Sequence, residues 1–171
     1  LLDRVAGRIL ADDLLAPIDV PAHDNSAVDG YAFRHADLVA AGSTRLMLVG
    51  RAAAGHPHVG TPAPGTAVRI FTGAPMPSGF DSVLMQEDAT VEDGYVIVPP
   101  GLKPGANRRF AGEDCKQGSV AIVAGTRLRA QEVGLAAAFG LTGLVVRRRL
   151  RVAVLSTGDE IAEPEIGRAH V

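Results

Sequence analysis

Glycine and proline interrupt this chain every few residues, and that punctuation limits what it can become. With 20 Gly, 11 Pro and no Trp among 171 residues, few stretches are long enough for an extended helix. Short strands joined by turns are the natural outcome. The reading is clearest from Thr44 to Val123. Arg45–Val49, Ala67–Phe71 and Ser119–Val123 are β-favouring runs that end near Gly or Pro, and Asp81–Gln86 is a further one. Thr90–Val91 and Tyr95–Val98 flank Glu92-Asp93-Gly94, an acidic-Asp-Gly turn that predicts a hairpin.

Two helices are expected around this block. Leu2, Val5, Ile9 and Leu10 fall at helical spacings within Leu1–Leu15, opposite Asp3, Arg4 and Arg8. Val133, Leu135, Ala136 and Phe139 give Arg129–Phe139 an apolar face, with Gly140 placed to end it. Tyr31–Val39 fits either a short strand or a helical turn. The continuous apolar run Val152–Leu155 is what a strand buried on both sides of a parallel sheet requires. The expectation is therefore an α/β, multidomain chain. A helical N-terminal and linker domain spans 1–146, with a β-rich barrel- or sandwich-like insert at about 44–125. Residues 147–163 begin an α/β domain whose remainder is absent, since too few residues follow to build a βαβ unit. The chain opens Leu1-Leu2-Asp3-Arg4, without Met or the basic-then-apolar text of a signal peptide, and a missing true N-terminus is expected.

Charge and cysteine content narrow the function classes. Seventeen basic and 19 acidic side chains leave a net charge of -2, giving no general attraction to nucleic acid or anionic membranes. No run is long and apolar enough to span a bilayer. Cys115 is the sole cysteine, a usage that fits a cytoplasmic protein. The Gly-x-Gly-x-x-Gly, Walker and Cys/His metal-ligand patterns are absent. His56 and His58 flank Pro57 in a Gly/Pro-rich loop and read as a solvated turn.

Four stretches gather groups able to do chemistry. In Pro21–Arg34, Asp24, Asn25, Ser26 and Asp29 lie between Pro21 and Gly30, and only an irregular loop can turn them to one point. Such a loop is either a polar turn bonded to its own backbone or a seat for a hard cation or polar ligand. Thr72-Gly73-Ala74-Pro75 offers a hydroxyl and free amides at a strand end, as an anion site or a plain junction. Gly105–Asp114 mixes Arg108 and Arg109 with Glu113 and Asp114, for internal ion pairs or for a phosphate and a metal. Asp159 and Glu160 follow the apolar run at a position where open α/β sheets bind ligands. A fifth run, Arg147-Arg148-Arg149, is either a solvated linker between domains or a phosphate or nucleic-acid patch.

Taken in order, these stretches resemble the molybdopterin molybdenumtransferase family, which includes the E domain of gephyrin. The resemblance rests on Gly7–Ala11, Asp24-Asn25-Ser26-Ala27-Val28-Asp29-Gly30-Tyr31-Ala32, Arg69–Pro75, Val83–Glu87, Gly112-Glu113-Asp114 and Ser156-Thr157-Gly158-Asp159-Glu160. It implies insertion of molybdate into adenylylated molybdopterin with release of AMP, a divalent cation such as Mg2+, and a homodimer whose site is shared between subunits. It also implies that the domain beginning at 147 is the molybdopterin-binding one. Carried onto this chain, Asp29, Asp114 and Glu160 take the catalytic and metal-holding positions. Thr72, Arg109, Asn25 and Ser26 take the substrate-binding positions. A non-catalytic scaffold or anchoring module of the gephyrin type is the alternative. His23 stands where an apolar residue is usual, and Phe110 and Ala111 break the basic run. Residues 164–171 do not resemble the family and are expected to be a non-native tail. As a fragment, the chain is expected to be inactive alone.

Overall fold

The computed structural model describes residues 1–155 and 157. Its central element is a six-stranded sheet in the order β6-β3-β5-β4-β8-β7, built from β3 (Gly30–Phe33), β4 (Thr44–Ala52), β5 (Thr66–Ile70), β6 (Ser82–Met85), β7 (Thr90–Glu92) and β8 (Tyr95–Val98). Only β4 and β5 run parallel; every other neighbouring pair is antiparallel. Two short pairs complete the strands, β1 (Leu14–Leu15) with β10 (Val120–Ile122) and β2 (Asn25–Ser26) with β9 (Arg108–Arg109). One α-helix, α1 (Ala130–Ala138), is present among the described residues.

Side-chain alternation along β3 explains why the sheet buries both faces. Ala32 joins Val68, Ile70 and Val83 on one side, where Ala74 and Phe80 pack over them. Phe33 joins Ala67 and Leu84 on the other, and the curl of the sheet brings Leu46, Val96 and Val98 against them. The central strand is thin at its start. A Cβ on Gly30 would stand 2.0 Å from the Leu84 carbonyl oxygen and 2.9 Å from Val83 Cγ1. No side chain fits between β3 and β6 there. The outer edge of β6 is covered by the 105–107 loop. The Val83 amide donates to the Ala106 carbonyl at 2.9 Å, and Asn107 Nδ2 donates to the Val83 carbonyl at 2.9 Å. The β7–β8 hairpin turns at Asp93 and Gly94, both at positive φ, as the acidic-Asp-Gly text predicts.

A helical N-terminal domain carrying an inserted barrel is not what forms. Sheet structure begins well before residue 44: β3 pairs on both sides and is interior to the six-stranded sheet. That sheet ends in β6 and β7 without joining them, so it is curled and open. Leu1–Leu15 is not a helix either. It makes a single 3-10 turn at Leu2–Arg4, which Gly7 leaves at φ 77°. Ile9 then pairs with Arg127, Leu10 with Val146, and Leu14 with Ile122. The helical spacing of the apolar residues is coincidental. Val5 and Leu10 reach the core with Ile122 and Leu128 from irregular and extended backbone, and helix α1 contributes Val133 and Leu135 to the same cluster. Tertiary pairing has overridden local propensity. Val152–Leu155, expected as a buried strand, is exposed and has no sheet partner among the described residues.

Replacement of Gly30 by Ala should weaken the β3–β6 junction, at a cost of about 1–3 kcal/mol or more. Equilibrium denaturation would show it as a lower midpoint, whereas an unchanged midpoint would mean that the strands do not approach this closely.

Candidate functional site

The Asp24–Gly30 stretch is irregular because its backbone is taken up from two directions. On one side Ser26 donates its amide to the Ala74 carbonyl at 3.1 Å, and Gly73 returns a bond to the Ser26 carbonyl at 2.9 Å. On the other, Asn25 and Ser26 pair with Arg109 and Arg108, and the Ala27 amide donates to the Asn107 carbonyl at 2.9 Å. The loop is a wedge between the end of β5 and the loop that carries β9. Three of the four sequence-predicted stretches therefore meet. The fourth, Asp159 and Glu160, lies outside the described residues.

Asp24 anchors the wedge. Its carboxylate pairs with the Arg108 guanidinium and accepts the Ala111 amide at 2.7 Å. Burial alone would raise its pKa. The Ala111 amide and Arg108 outweigh that burial and hold Asp24 below the usual carboxylate range.

Asp29 stands at the other end of the loop. Its Oδ1 accepts the Thr72 amide at 2.8 Å and the Thr72 hydroxyl at 2.7 Å. These two bonds, aided by the charge of Arg69, keep its pKa below the usual range. Its Oδ2 carries no hydrogen bond among the described residues and remains free to accept one. Because the folded pKa is depressed, these contacts stabilise the fold at pH above the ordinary aspartate range. The stabilisation is lost as pH falls through the folded value.

Arg109 and Asp114 form the second pair, at 2.5 Å, with Glu113 at 3.4 Å from Arg109. Asp114, then Glu113, raise the Arg109 pKa, so its cation is permanent. Ser26 is buried and its hydroxyl donates to the Val28 carbonyl at 2.6 Å, closing the turn rather than facing outward. Asn25 Oδ1 is buried and has no hydrogen-bond partner among the described residues.

One functional residue was not singled out from the sequence. Arg69 donates to the Gly30 carbonyl at 3.1 Å and to Gln86 Oε1, while the Gln86 amide donates to the Asp29 carbonyl at 3.0 Å. Its guanidinium also lies 4.9 Å from the Tyr31 ring centroid and 4.8 Å from that of Phe71. Arg69 thus braces the backbone on which Asp29 sits. Its signal was a lone charge within the run Ala67–Phe71, three residues before Thr72. Beside Asp24 an open groove of about 690 Å³ is lined by His23, Met76, Phe80, Arg108 and Ala111, among others.

The described residues alone do not seat a hard cation. No three His, Cys, Asp or Glu side chains converge among them, Asp114 is neutralised by Arg109, and Asp29 offers one free oxygen. A magnesium ion needs a near-octahedral set of oxygens, so further ligands would have to come from elsewhere in the full protein.

Comparison with known proteins agrees with this arrangement of loops on a curled sheet. Residues 1–140 match the family model described as the MoeA N-terminal region, domains I and II. The chain belongs to the MoeA family. The molybdopterin molybdenumtransferase of Haemophilus influenzae is 44% identical over 163 residues, covering 95% of this chain and 40% of that protein. Molybdopterin molybdenumtransferase 2 of Mycobacterium tuberculosis is 37% identical over 166 residues, covering 95% and 41%. The crystal structure of the molybdopterin biosynthesis moeA protein from Pyrococcus horikoshii OT3 superposes with a TM-score of 0.81 at 35% identity, covering 85% of this chain and 39% of that one. The chain thus spans about two fifths of the length of the relatives it matches.

Replacing Thr72 by Val removes the hydroxyl donor and leaves the amide. The Asp29 pKa, followed by carboxyl carbon-13 NMR, should rise toward the ordinary aspartate range. An unchanged titration would show that Thr72 does not hold the carboxylate.

Proposed function

We propose that this chain is the N-terminal part of an enzyme of molybdenum cofactor biosynthesis. The full protein would insert molybdate into adenylylated molybdopterin and release AMP. The observation that carries the reading is the wedge itself. A free carboxylate oxygen on Asp29 and a permanent Arg109 cation project from two loops locked to one backbone segment. Similar proteins named for molybdopterin molybdenum transfer align across nearly all of the chain.

The substrates are anionic, so Arg109 is assigned to hold the oxyanion or phosphate, using guanidinium edges that its carboxylate partners leave open. Asp29 Oδ2 is assigned to accept a proton or orient water beside it. Thr72 keeps Asp29 ionised and reaches substrate only by releasing that carboxylate. Asp114 sets the orientation of Arg109, and Asn25 supplies a carbonyl oxygen at the wedge. Ser26 shapes the loop beneath them. Magnesium, with Asp29, Asp114 and Glu160 among its oxygens, belongs to the same proposal. So do a homodimer sharing the site between subunits and a cytoplasmic location. Residues from 147 onward are assigned to the molybdopterin-binding domain, and residues 1–171 alone are expected to be inactive.

In the full-length gene product, Asp29→Asn should reduce molybdate-dependent AMP release by about 100-fold or more, the scale of losing a positioned acid–base group. Retention of near-parental turnover would remove Asp29 from the chemistry. Robust turnover by residues 1–171 would show that no further domain is needed.

A further inference from the structure

The arginine run at 147–149 does not belong to the wedge. It lies at a separate groove of about 470 Å³, lined by Arg8, Arg127, Arg147, Arg148 and Arg149 with Gly7 and Ile9. Five guanidinium-bearing side chains around one concavity repel one another at close range. Among the described residues, none of the five forms a salt bridge with a carboxylate. The concentration of charge is local, since the chain as a whole carries a net charge of -2.

The groove is also built rather than draped. Leu128 donates to the Arg8 carbonyl at 2.8 Å, Gly7 to the Leu128 carbonyl at 2.7 Å, and Arg147 to the Ile9 carbonyl at 2.8 Å. These bonds fasten three separate segments into one floor over the buried Leu10 and Leu128. The Arg8 guanidinium reaches across and donates to the Arg147 carbonyl at 2.6 Å, which fixes its head. Arg127, Arg148 and Arg149 are exposed, and among the described residues their guanidinium groups have no hydrogen-bond acceptor.

We propose that this groove binds the diphosphate or triphosphate group of a small polyanion. Guanidinium forks match phosphate oxygens in pairs, and a polyphosphate relieves the mutual repulsion of several arginines at once. A smaller anion with fewer charges, such as sulfate, relieves less of it. No aromatic side chain is among the lining residues, so free pyrophosphate and a nucleoside diphosphate should be held through the same group.

The test is titration calorimetry on the full-length gene product with inorganic pyrophosphate, ADP and sulfate at matched ionic strength. Pyrophosphate and ADP should bind with similar affinity, both more tightly than sulfate, and more weakly as salt rises. The R148Q/R149Q double variant should lose about tenfold or more of the pyrophosphate affinity. The single variant R127Q should lose part of it, and R4Q, at an arginine outside the groove, should lose none. Parental circular dichroism and melting in each variant guard against unfolding. Pyrophosphate binding no tighter than sulfate, or binding that survives R148Q/R149Q, overturns the proposal, as does ADP binding without pyrophosphate binding.

Discussion

Asp24 is the charge on which the candidate site depends. Its carboxylate joins Arg108 and the Ala111 amide to the start of the opening loop. Without it, the loop would be held to β9 by two residue pairs and the Ala27 amide, and a pairing that short is marginal on its own. Bonds to a charged acceptor are worth about 1.5–3 kcal/mol when well shielded. Asp24 and Arg108 are roughly a quarter exposed, which places the pair toward the lower end after screening. By itself that offsets the entropy of fixing about one residue, at about 1–2 kcal/mol each, so the charge and the backbone bonds order the loop together.

From this point order spreads in two directions. Toward the sheet, Ser26 and Gly73 exchange backbone bonds with the end of β5, which puts Thr72 against Asp29. Toward the second loop, Glu113 accepts the Phe110 amide at 3.0 Å and Asp114 holds Arg109. The carboxylates and cations therefore arrive already paired. Pairing limits what each can bind, but it fixes their orientation and charge before any substrate enters, as preorganisation requires. Among the described residues of the wedge, the second oxygen of Asp29 and the outer edge of Arg109 remain to act.

Much of the fold was legible where sequence signals are local. The hairpin at Asp93-Gly94, the strands around Leu46, Val68 and Val83, and the helix ending before Gly140 all follow from turn chemistry and short-range pattern. The first fifteen residues were not legible, because Leu2, Val5, Ile9 and Leu10 happen to satisfy a helical period while Ile9 and Leu10 pair with residues more than a hundred positions away. Nor was the central place of β3. Gly30 and Ala32 carry little apolar signal, and their small size is what lets β6 approach. At the site, the meeting of the Asp24, Thr72 and Arg108 stretches came from resemblance rather than from spacing. The bracing role of Arg69 depends on contacts from β5 to β3 and to the turn after β6, which no linear pattern records.

The central claim, that Asp24 locks the loop carrying the site, is most directly tested by amide hydrogen exchange in the parent and in Asp24→Asn. The amides of Ala27, Gly73 and Ala111 should exchange faster in the variant, since their acceptors lie in or beside the wedge. Those of the β4–β8 pair should keep their protection. Equal protection at Ala27, Gly73 and Ala111 in both proteins would contradict the claim and leave the loop held by its backbone pairs alone.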